Sequence, residues 1–253
     1  MTDVDPNHPR AESLQIREKI AAGFKKGLVT PEGLSAHGRG EAFDYMLGER
    51  TTKPAREAIT AASAMILASK NPIISVNGNV AALVAKEIAE MADETGINVE
   101  VNLFHRSKKR RNKIAKHLLE KGVKKVLGNE EKFFSEIPEI KSHRRVVDER
   151  GIKSADTVIV PLEDGDRTEA LVDAGKKVIT IDLNPLSRTA QAADITIVDN
   201  VVRALPELTD RIKKLSKKDE AELEDVLKEF NNKRNLNSMT GKMVKHLKKS
   251  TSK

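Results

Sequence analysis

The sequence predicts an α/β protein with a Rossmann-like parallel sheet and helical additions at both ends. Between residues 71 and 200, short runs of β-branched residues alternate with amphipathic segments of helical length. Such alternation is typical of a parallel sheet with right-handed crossovers. Because aromatic residues are only 3% of the 253 residues, aliphatic side chains must form the core. That composition suits a sheet covered by helices better than an aromatic-rich sandwich or barrel.

The first 70 residues are predicted to form a helical N-terminal region. Five positions at helical spacing define one face of the first helix: Leu14, Arg17, Ala21, Phe24 and Leu28. Residues 30–33 have the signature of a helix start with Pro31 in the first turn, and the glycine-rich residues 35–40 are predicted to form a turn. A further helix is predicted to begin near Thr52. Arg17 either extends to water from the edge of its face or is directed at an anion in a cleft.

The central region is predicted to contain six strands, at residues 72–76, 97–101, 125–127, 157–161, 178–183 and 195–198. Segments 81–95 and 111–121 are predicted helices, whereas residues 130–150 fit neither pattern and are expected to be an irregular insertion. After Val201 the pattern is helical again. The predicted organisation is a helical N-terminal region (1–70), a Rossmann-like α/β core (71–200) and C-terminal helices with a basic tail (201–253).

The composition excludes several classes of protein and site. There is no cysteine, which rules out disulfides and thiolate metal sites, and no H-E-x-x-H or other metal-ligand spacing occurs. The first twelve residues are polar and contain acids, unlike a signal or transit peptide. The most apolar window, residues 58–68, is shorter than the ~20 residues that span a bilayer. We therefore expect a cytoplasmic protein with no membrane partner.

The excess positive charge is confined to the C-terminal tail. The chain has 45 Lys and Arg against 38 Asp and Glu, a formal net charge of +7. Residues 231–253 contain no acid and seven cations: Lys233, Arg234, Lys242, Lys245, Lys248, Lys249 and Lys253. The body is neutral as a whole, which argues against a nucleic-acid enzyme. The tail is expected to be a solvated terminal helix or a mobile end, with nucleic-acid binding as the alternative.

Two polar segments follow predicted strands, the positions at which parallel α/β sheets bind ligands. Asn77, Gly78 and Asn79 follow the first strand and open a helix, whose free N–H groups suit an anion; a plain strand-to-helix turn explains them equally well. Residues 102–111 follow the second strand and are rich in cations. Their charges suit a phosphorylated substrate, and a solvated basic surface is the alternative.

A third polar segment begins at Asp182, where a strand ends. Asp182 and Asn184 have side chains that hydrogen-bond sugar hydroxyls or an adenine edge, whereas Arg188 and Thr189 suit phosphate oxygens. Residues 199–201 follow the next strand and should lie beside this loop. The chain contains no Walker-type phosphate loop, so a bound nucleotide must use other groups. The same residues also fit an Asx-Pro turn with a surface arginine.

These segments resemble those of the archaeal 4-phosphopantoate–β-alanine ligase family, also called phosphopantothenate synthetase. The matching stretches run in order along most of the chain: RAESL at 10–14 with Arg17, SAHGRGEAFDY at 35–45, VNGN at 76–79, NLFHR at 102–106 and DLNPLSRT at 182–189. The resemblance implies a dimeric, Rossmann-like enzyme of coenzyme A biosynthesis. It further implies that ATP, with Mg²⁺ on its phosphates, drives the joining of 4-phosphopantoate to β-alanine.

The resemblance also implies roles for individual residues. ATP contacts are implied for Arg17, Arg39, Asp182, Leu183, Asn184, Arg188, Thr189, Asn200 and Val201. Phosphopantoate contacts are a hypothesis for His37, Asn77, Gly78, Asn79, His105, Arg106 and Lys108. In the implied route the phosphopantoate carboxylate attacks the α-phosphorus of ATP, and β-alanine then displaces AMP. Arginines would offset the repulsion between the two anionic reactants, and no catalytic base is assigned. A nucleotide-sensing module without catalysis is a further alternative.

Overall fold

A computed structural model describes residues 5, 7, 8 and 10–250 of the chain. Its α-helices are α1 (Ala11–Lys25), α2 (Pro31–Leu47), α3 (Lys53–Ala68), α4 (Gly78–Thr95), α5 (Lys108–Glu120), α6 (Gly165–Asp173), α7 (Arg188–Ala192), α8 (Val201–Leu215), α9 (Glu220–Glu229) and α10 (Asn232–Ser250). Its strands are β1 (Pro72–Val76), β2 (Asn98–Val101), β3 (Phe134–Glu136), β4 (Val146–Asp148), β5 (Thr157–Pro161), β6 (Lys177–Ile181) and β7 (Ile195–Ile197). The beginning of the predicted N-terminal region and the end of the basic tail, including Lys253, lie outside the described residues.

Five strands form one parallel sheet in the order β2-β1-β5-β6-β7. The chain passes from β1 outward to β2 and then crosses to β5, on the other side of β1. The strand order therefore reverses between β1 and β5, and ligands of such sheets bind at this reversal, beyond the carboxyl ends of the strands. The predicted α/β class with a parallel, Rossmann-like sheet is confirmed.

Alternate residues of each strand face opposite layers of the core, as the pleat requires. Ile74 and Ile159 pack in the larger cluster, with residues of α1, α3, α4, α5 and α8. Ile73 and Val158, their neighbours along β1 and β5, pack in the other cluster with α6 and residues of the 127–155 segment. Helices thus cover one face, while α6 and the insertion cover the other. No helix in the described part of the chain is long and apolar enough to cross a membrane.

Helix α1 packs on the core with a different side from the predicted apolar face. Its buried residues are Ser13, Ile16, Ile20 and Gly23, whereas Arg17, Ala21 and Phe24 of the predicted face are exposed. Gly23 allows α1 to approach α4 closely, since a Cβ at this position would lie 2.5 Å from the Cβ of Ala82. A small residue therefore determines how α1 packs on α4. A prediction based on the spacing of large apolar side chains does not detect such a contact.

The glycine-rich residues 35–40 lie within α2 and do not form the predicted turn. The helix begins where expected, because the hydroxyl of Thr30 accepts a hydrogen bond from the N–H of Gly33 at 3.3 Å. Gly33 also allows α2 to lie against Asn79: a Cβ there would be 2.4 Å from the side-chain oxygen of Asn79. At this position glycine permits close packing of a helix rather than a turn.

The chain between β2 and β5 differs most from the sequence prediction. Residues 125–127 do not form a strand; Leu127 makes a single parallel bridge with Glu100. The segment expected to be irregular, 130–150, contains the antiparallel pair β3–β4. The buried carboxylate of Glu100 anchors this insertion by accepting N–H groups of Asp148 at 3.0 Å and Ile152 at 2.7 Å. One acidic side chain therefore attaches the insertion to the sheet edge.

The described part of the basic tail is a terminal helix, α10, with one solvated side and one packed side. In α10, Leu236, Met239 and Met243 are buried in a cluster with Leu47 and Leu183. The lysines and the arginine of this helix occupy its exposed face. The charge excess is thus carried by one side of a helix whose other side is part of the core.

We predict that Glu100 makes stability depend on pH. Burial raises the pKa of this carboxyl from 4.5 to about 7. A carboxyl with a higher pKa in the folded state stabilises the fold below its unfolded pKa and loses that contribution as the pH rises through the folded pKa. Between pH 5 and pH 8, the free energy of unfolding of the wild type should therefore fall by about 2 kcal/mol relative to Glu100→Gln.

Urea denaturation of both proteins at several pH values measures this difference. Glu139→Gln, an exposed change in the same insertion, is the control and should follow the wild type at every pH. Parallel pH profiles for the wild type and Glu100→Gln would contradict the assignment of the shifted ionisation to Glu100.

Candidate functional site

A cavity of about 410 Å³ opens beyond the carboxyl ends of β1, β5, β6 and β7, at the reversal of strand order. Helices α1 and α2 form one wall. The opposite wall consists of the loops that follow the strands and the first residues of α4, α6, α7 and α8. The start of α6 has no side-chain cap, so its N–H groups make this part of the wall favourable for negative charge. The starts of α4 and α8 are capped by Asn77 and Asn200.

Most residues for which the resemblance implies ATP contacts lie in this cavity wall. They are Arg39, Asp182, Leu183, Asn184, Arg188, Thr189, Asn200 and Val201. Arg17 is outside the wall: its guanidinium is bound to Glu41 at 2.7 Å and to the hydroxyl of Tyr45 at 3.1 Å, and it is 44% exposed. The fold thus brings together residues that are far apart in the sequence.

Side-chain hydrogen bonds fix the loop that begins at Asp182. One oxygen of Asp182 accepts the N–H of Asn184 at 2.9 Å, and the other accepts the hydroxyl of Ser187. Ser187 in turn caps α7 by accepting the N–H of Ala190 at 3.0 Å. Burial raises the pKa of Asp182, and these hydrogen bonds together with the charge of Arg39 oppose that rise. The loop therefore has a defined conformation without help from a ligand.

A buried charge network fixes Asn200 beside this loop. The amide of Asn200 donates to Asp44 at 2.9 Å, and Arg203 donates to Asp44 at 2.5 Å and to Asp199 at 2.7 Å. Thr51 donates its hydroxyl to the other oxygen of Asp199 at 2.6 Å. Burial alone would lower the pKa of Arg203, but the two carboxylates raise it. The network joins α2 to the start of α8 and so holds two sides of the cavity together.

The arginines of the wall differ in their availability for an anion. Arg39 has no hydrogen bond or ion pair within the described residues. Arg188 is bound to Glu169 at 2.6 Å and remains 65% exposed. The guanidinium of Arg39 can therefore bind a phosphate directly. Arg188 must either bind a phosphate together with Glu169 or break its ion pair with Glu169.

The residues proposed for phosphopantoate fall into three places. His37 and Asn79 line the cavity, and Asn79 donates its amide to the carbonyl of Gly33 at 2.8 Å. Asn77 lies behind the wall: its oxygen accepts the N–H of Asn79 at 3.0 Å, which caps α4. A Cβ at Gly78 would lie 2.1 Å from the carbonyl oxygen of Leu28. Asn77 and Gly78 thus build the turn that presents Asn79.

The third place is occupied by His105, Arg106 and Lys108, which lie outside the cavity wall. Arg106 donates to the carbonyl of Val146 at 2.9 Å and covers the ring of Phe134 at 4.4 Å. The nitrogens of Lys108 and His105 lie 3.4 and 3.7 Å from carboxylates of Glu131 and Glu32 respectively. In this structure the cluster contacts the insertion and α2, and it does not join Asn79 in one site.

Several wall residues escaped the sequence prediction. Asp44 lies in the last turn of α2 and Arg203 in the first turn of α8, where single charges resemble ordinary surface residues. Glu163 and Asp164 follow β5 directly and line the cavity, so their position after a predicted strand was an available signal. The carboxylate of Glu163 is buried between the guanidinium groups of Arg144 and Arg167.

Among the residues that the structure describes, no three His, Cys, Asp or Glu side chains are grouped as ligands of a metal ion.

Comparison with known proteins relates the chain to one group of enzymes. A profile of the family described as phosphopantothenate/pantothenate synthetase matches residues 54–246. The chain is 49% identical to the 4-phosphopantoate–β-alanine ligase of Methanosarcina mazei, over 98% of this chain and 97% of the relative. It is 51% identical to the ligase of the same name from Thermococcus onnurineus, over 94% and 91%, and 52% identical to that of Methanospirillum hungatei, over 80% and 82%.

We predict that α10 stabilises the cavity through Asn232. Its amide donates to the carbonyls of Ala190 at 3.0 Å and Ala193 at 2.9 Å, and its oxygen accepts the N–H of Thr196 at 2.9 Å. Asn232→Ala should lower the free energy of unfolding by about 1–3 kcal/mol, because these backbone groups lose their partner. Chemical denaturation measures the loss. Asn237→Ala, an exposed change on the same helix, should be neutral, and equal stability of the two variants would contradict the role of Asn232.

Proposed function

Because the chain belongs to the phosphopantothenate/pantothenate synthetase family, we propose that its cavity is where 4-phosphopantoate is joined to β-alanine with the use of ATP. The protein is an acid–amino-acid ligase of coenzyme A biosynthesis. One observation carries the assignment to this cavity: the 182–189 loop, Asn200 and the unpaired Arg39 meet at the reversal of strand order. A nucleotide-sensing module without catalysis is disfavoured by the named ligase relatives.

In this proposal the nucleoside of ATP lies along the loop after β6. Asp182 and Asn184 face the cavity with polar side chains suited to ribose hydroxyls or an adenine edge. Leu183 and Val201 supply apolar contact. The hydroxyl of Thr189 donates a hydrogen bond to the carbonyl of Glu163 at 2.9 Å. This bond links the 182–189 loop to the loop after β5.

The phosphates are proposed to extend toward Arg39, with Arg188 and the start of α6 on the opposite side. A Cβ at Gly165, the first residue of α6, would lie 2.4 Å from the Cβ of Arg188. Only glycine therefore lets this helix start approach the nucleotide loop so closely. Mg²⁺ would be bound to the phosphates and would reduce their repulsion toward a second anion.

The reaction requires activation of a carboxylate, which is a poor acylating agent. We propose that the phosphopantoate carboxylate attacks the α-phosphorus of ATP, giving an acyl-adenylate and pyrophosphate, and that β-alanine then displaces AMP. Arg39 would stabilise the negative charge that develops as the two anionic reactants combine. Phosphopantoate is placed beside Asn79 and His37, with His105, Arg106 and Lys108 as outer contacts that need rearrangement. Arg17 remains proposed as an ATP contact, and it must leave Glu41 to reach the phosphates.

The proposal includes a cytoplasmic homodimer. The alternative of a nucleic-acid-binding protein lacks support, since the relatives are named ligases and the basic helix α10 is packed into the core. A basic surface on one helix side has an ordinary role in solubility.

We predict that Arg39→Ala lowers kcat/KM for ATP by roughly 10²–10³-fold, because a charge aimed at the reacting phosphates is lost. Phosphorus NMR of reactions containing ATP, 4-phosphopantoate and β-alanine should show AMP and pyrophosphate only when both co-substrates are present. Arg50→Ala removes an exposed arginine that does not line the cavity and should keep full activity. Unchanged turnover by Arg39→Ala would remove Arg39 from the site, and formation of ADP and phosphate would reject the adenylate route.

A further inference from the structure

We propose that His37 accepts the proton that the β-alanine amine must lose before it attacks the acyl-adenylate. The inference rests on the proposed function and extends it to the second half of the reaction. β-Alanine is mainly an ammonium ion at neutral pH, and an ammonium nitrogen has no lone pair with which to attack. A base at the site would form the reactive amine where it is needed.

The position of His37 suits this role. It lies on α2 in the wall of the cavity, one helical turn after Gly33, whose carbonyl accepts the amide of Asn79. His37 is thus near the reversal of strand order, next to the proposed place of phosphopantoate. Its ring nitrogen Nε2 is buried and has no hydrogen-bond partner within the described residues. A buried nitrogen without a partner costs free energy, which a bound amine would recover.

The surroundings of His37 keep its imidazole neutral. Burial is the main cause that lowers its pKa below 6.5, and the charge of Arg17 on α1 acts in the same direction. Glu41 and Asp44, on the same helix, oppose the shift. Asn79 of α4 is uncharged. A neutral imidazole at pH 7 can accept a proton, which a protonated one cannot.

Four carboxylates that line the cavity are less suited to be this base. Both oxygens of Asp182 accept hydrogen bonds within its loop, and Asp44 is bound to Arg203. Glu163 lies between two guanidinium groups, and an oxygen of Asp164 is 3.4 Å from the Nε of Arg144. These four acids are engaged by hydrogen bonds or ion pairs, which makes them poorer proton acceptors than the Nε2 of His37.

The proposed step conserves atoms and charge. Nε2 of His37 takes one proton from the ammonium group and becomes imidazolium. The nitrogen lone pair then forms a bond to the acyl carbon, the bond from that carbon to the AMP oxygen breaks, and AMP leaves with the electron pair. The second proton on nitrogen passes to water as the amide forms. His37 afterwards returns its proton to solvent.

The test separates the two half-reactions in the full-length enzyme. ATP–pyrophosphate exchange that depends on phosphopantoate, without β-alanine, measures adenylate formation. Amide formation is then measured with β-alanine and with hydroxylamine, a nucleophile that is largely neutral at pH 7. All reactions are measured at saturating phosphopantoate, because His37 also lies beside the proposed place of this substrate. We expect His37→Gln to slow amide formation from β-alanine at pH 7 about 10²-fold more than it slows the exchange or the hydroxylamine reaction. His143→Gln, an exposed change outside the cavity, is the matched control and should behave as the wild type.

A pH profile provides a second readout that does not depend on one variant. The wild-type rate with β-alanine should level off above about pH 6.5, where His37 is neutral. In His37→Gln the rate should continue to rise to high pH as free amine forms in solution. A wild-type rate that also rises continuously would overturn the inference even if the variant failed to fold.

Two further outcomes would contradict the role of His37 or the adenylate route. If His37→Gln is as fast as the wild type with β-alanine, or loses the exchange and the hydroxylamine reaction equally, His37 is not the proton acceptor, and the proposed function is unaffected. If the wild type shows no phosphopantoate-dependent exchange while it still makes product, the adenylate route fails together with the step assigned to His37.

Discussion

The reversal of strand order between β1 and β5 is the constraint on which the cavity depends. At this point the connections after neighbouring strands leave in opposite directions along the sheet, so no crossover covers the carboxyl edge. Asn77 joins the two sides: its amide donates to the carbonyls of Pro161 and Leu162 at 3.2 and 2.9 Å, while its oxygen caps α4. Residues from distant parts of the sequence can then line the same cavity, and α2 covers the side opposite the strand ends.

The strand and helix pattern of the core could be predicted because its signals are local. β-Branched runs and helix caps such as Thr30 and Thr52 are readable without any partner. The errors occurred where a distant contact decides the structure. The face of α1 depends on the approach of Gly23 to α4, and residues 125–127 remain irregular because Leu127 reaches only one bridge to Glu100. The short hairpin of the insertion has too few residues for a clear alternating pattern.

The site could be predicted in part for the same reason. The 182–189 loop follows a strand end, which is a local signal, and the resemblance to a ligase family supplied its role. The sequence did not show that residues 105–108 contact the insertion instead of the cavity. Nor did it show that α10 packs on Leu183, because the packed face of α10 is recognisable only from the contact of Leu236 and Met239 with α2 and the 182–189 loop. The role of a residue that pairs with a residue of another helix, such as Asp44 with Arg203, can be recognised only once the fold is known.

In the proposed reaction, the phosphopantoate carboxylate is activated in the cavity by attacking the α-phosphorus of ATP. Isotope transfer tests this step, with phosphopantoate labelled by ¹⁸O in its carboxylate and the products analysed by mass spectrometry or phosphorus NMR. Attack on the α-phosphorus followed by departure of AMP leaves a carboxylate oxygen on AMP, so the account predicts ¹⁸O in AMP. Finding the label in orthophosphate instead would show attack on the γ-phosphorus and contradict the account.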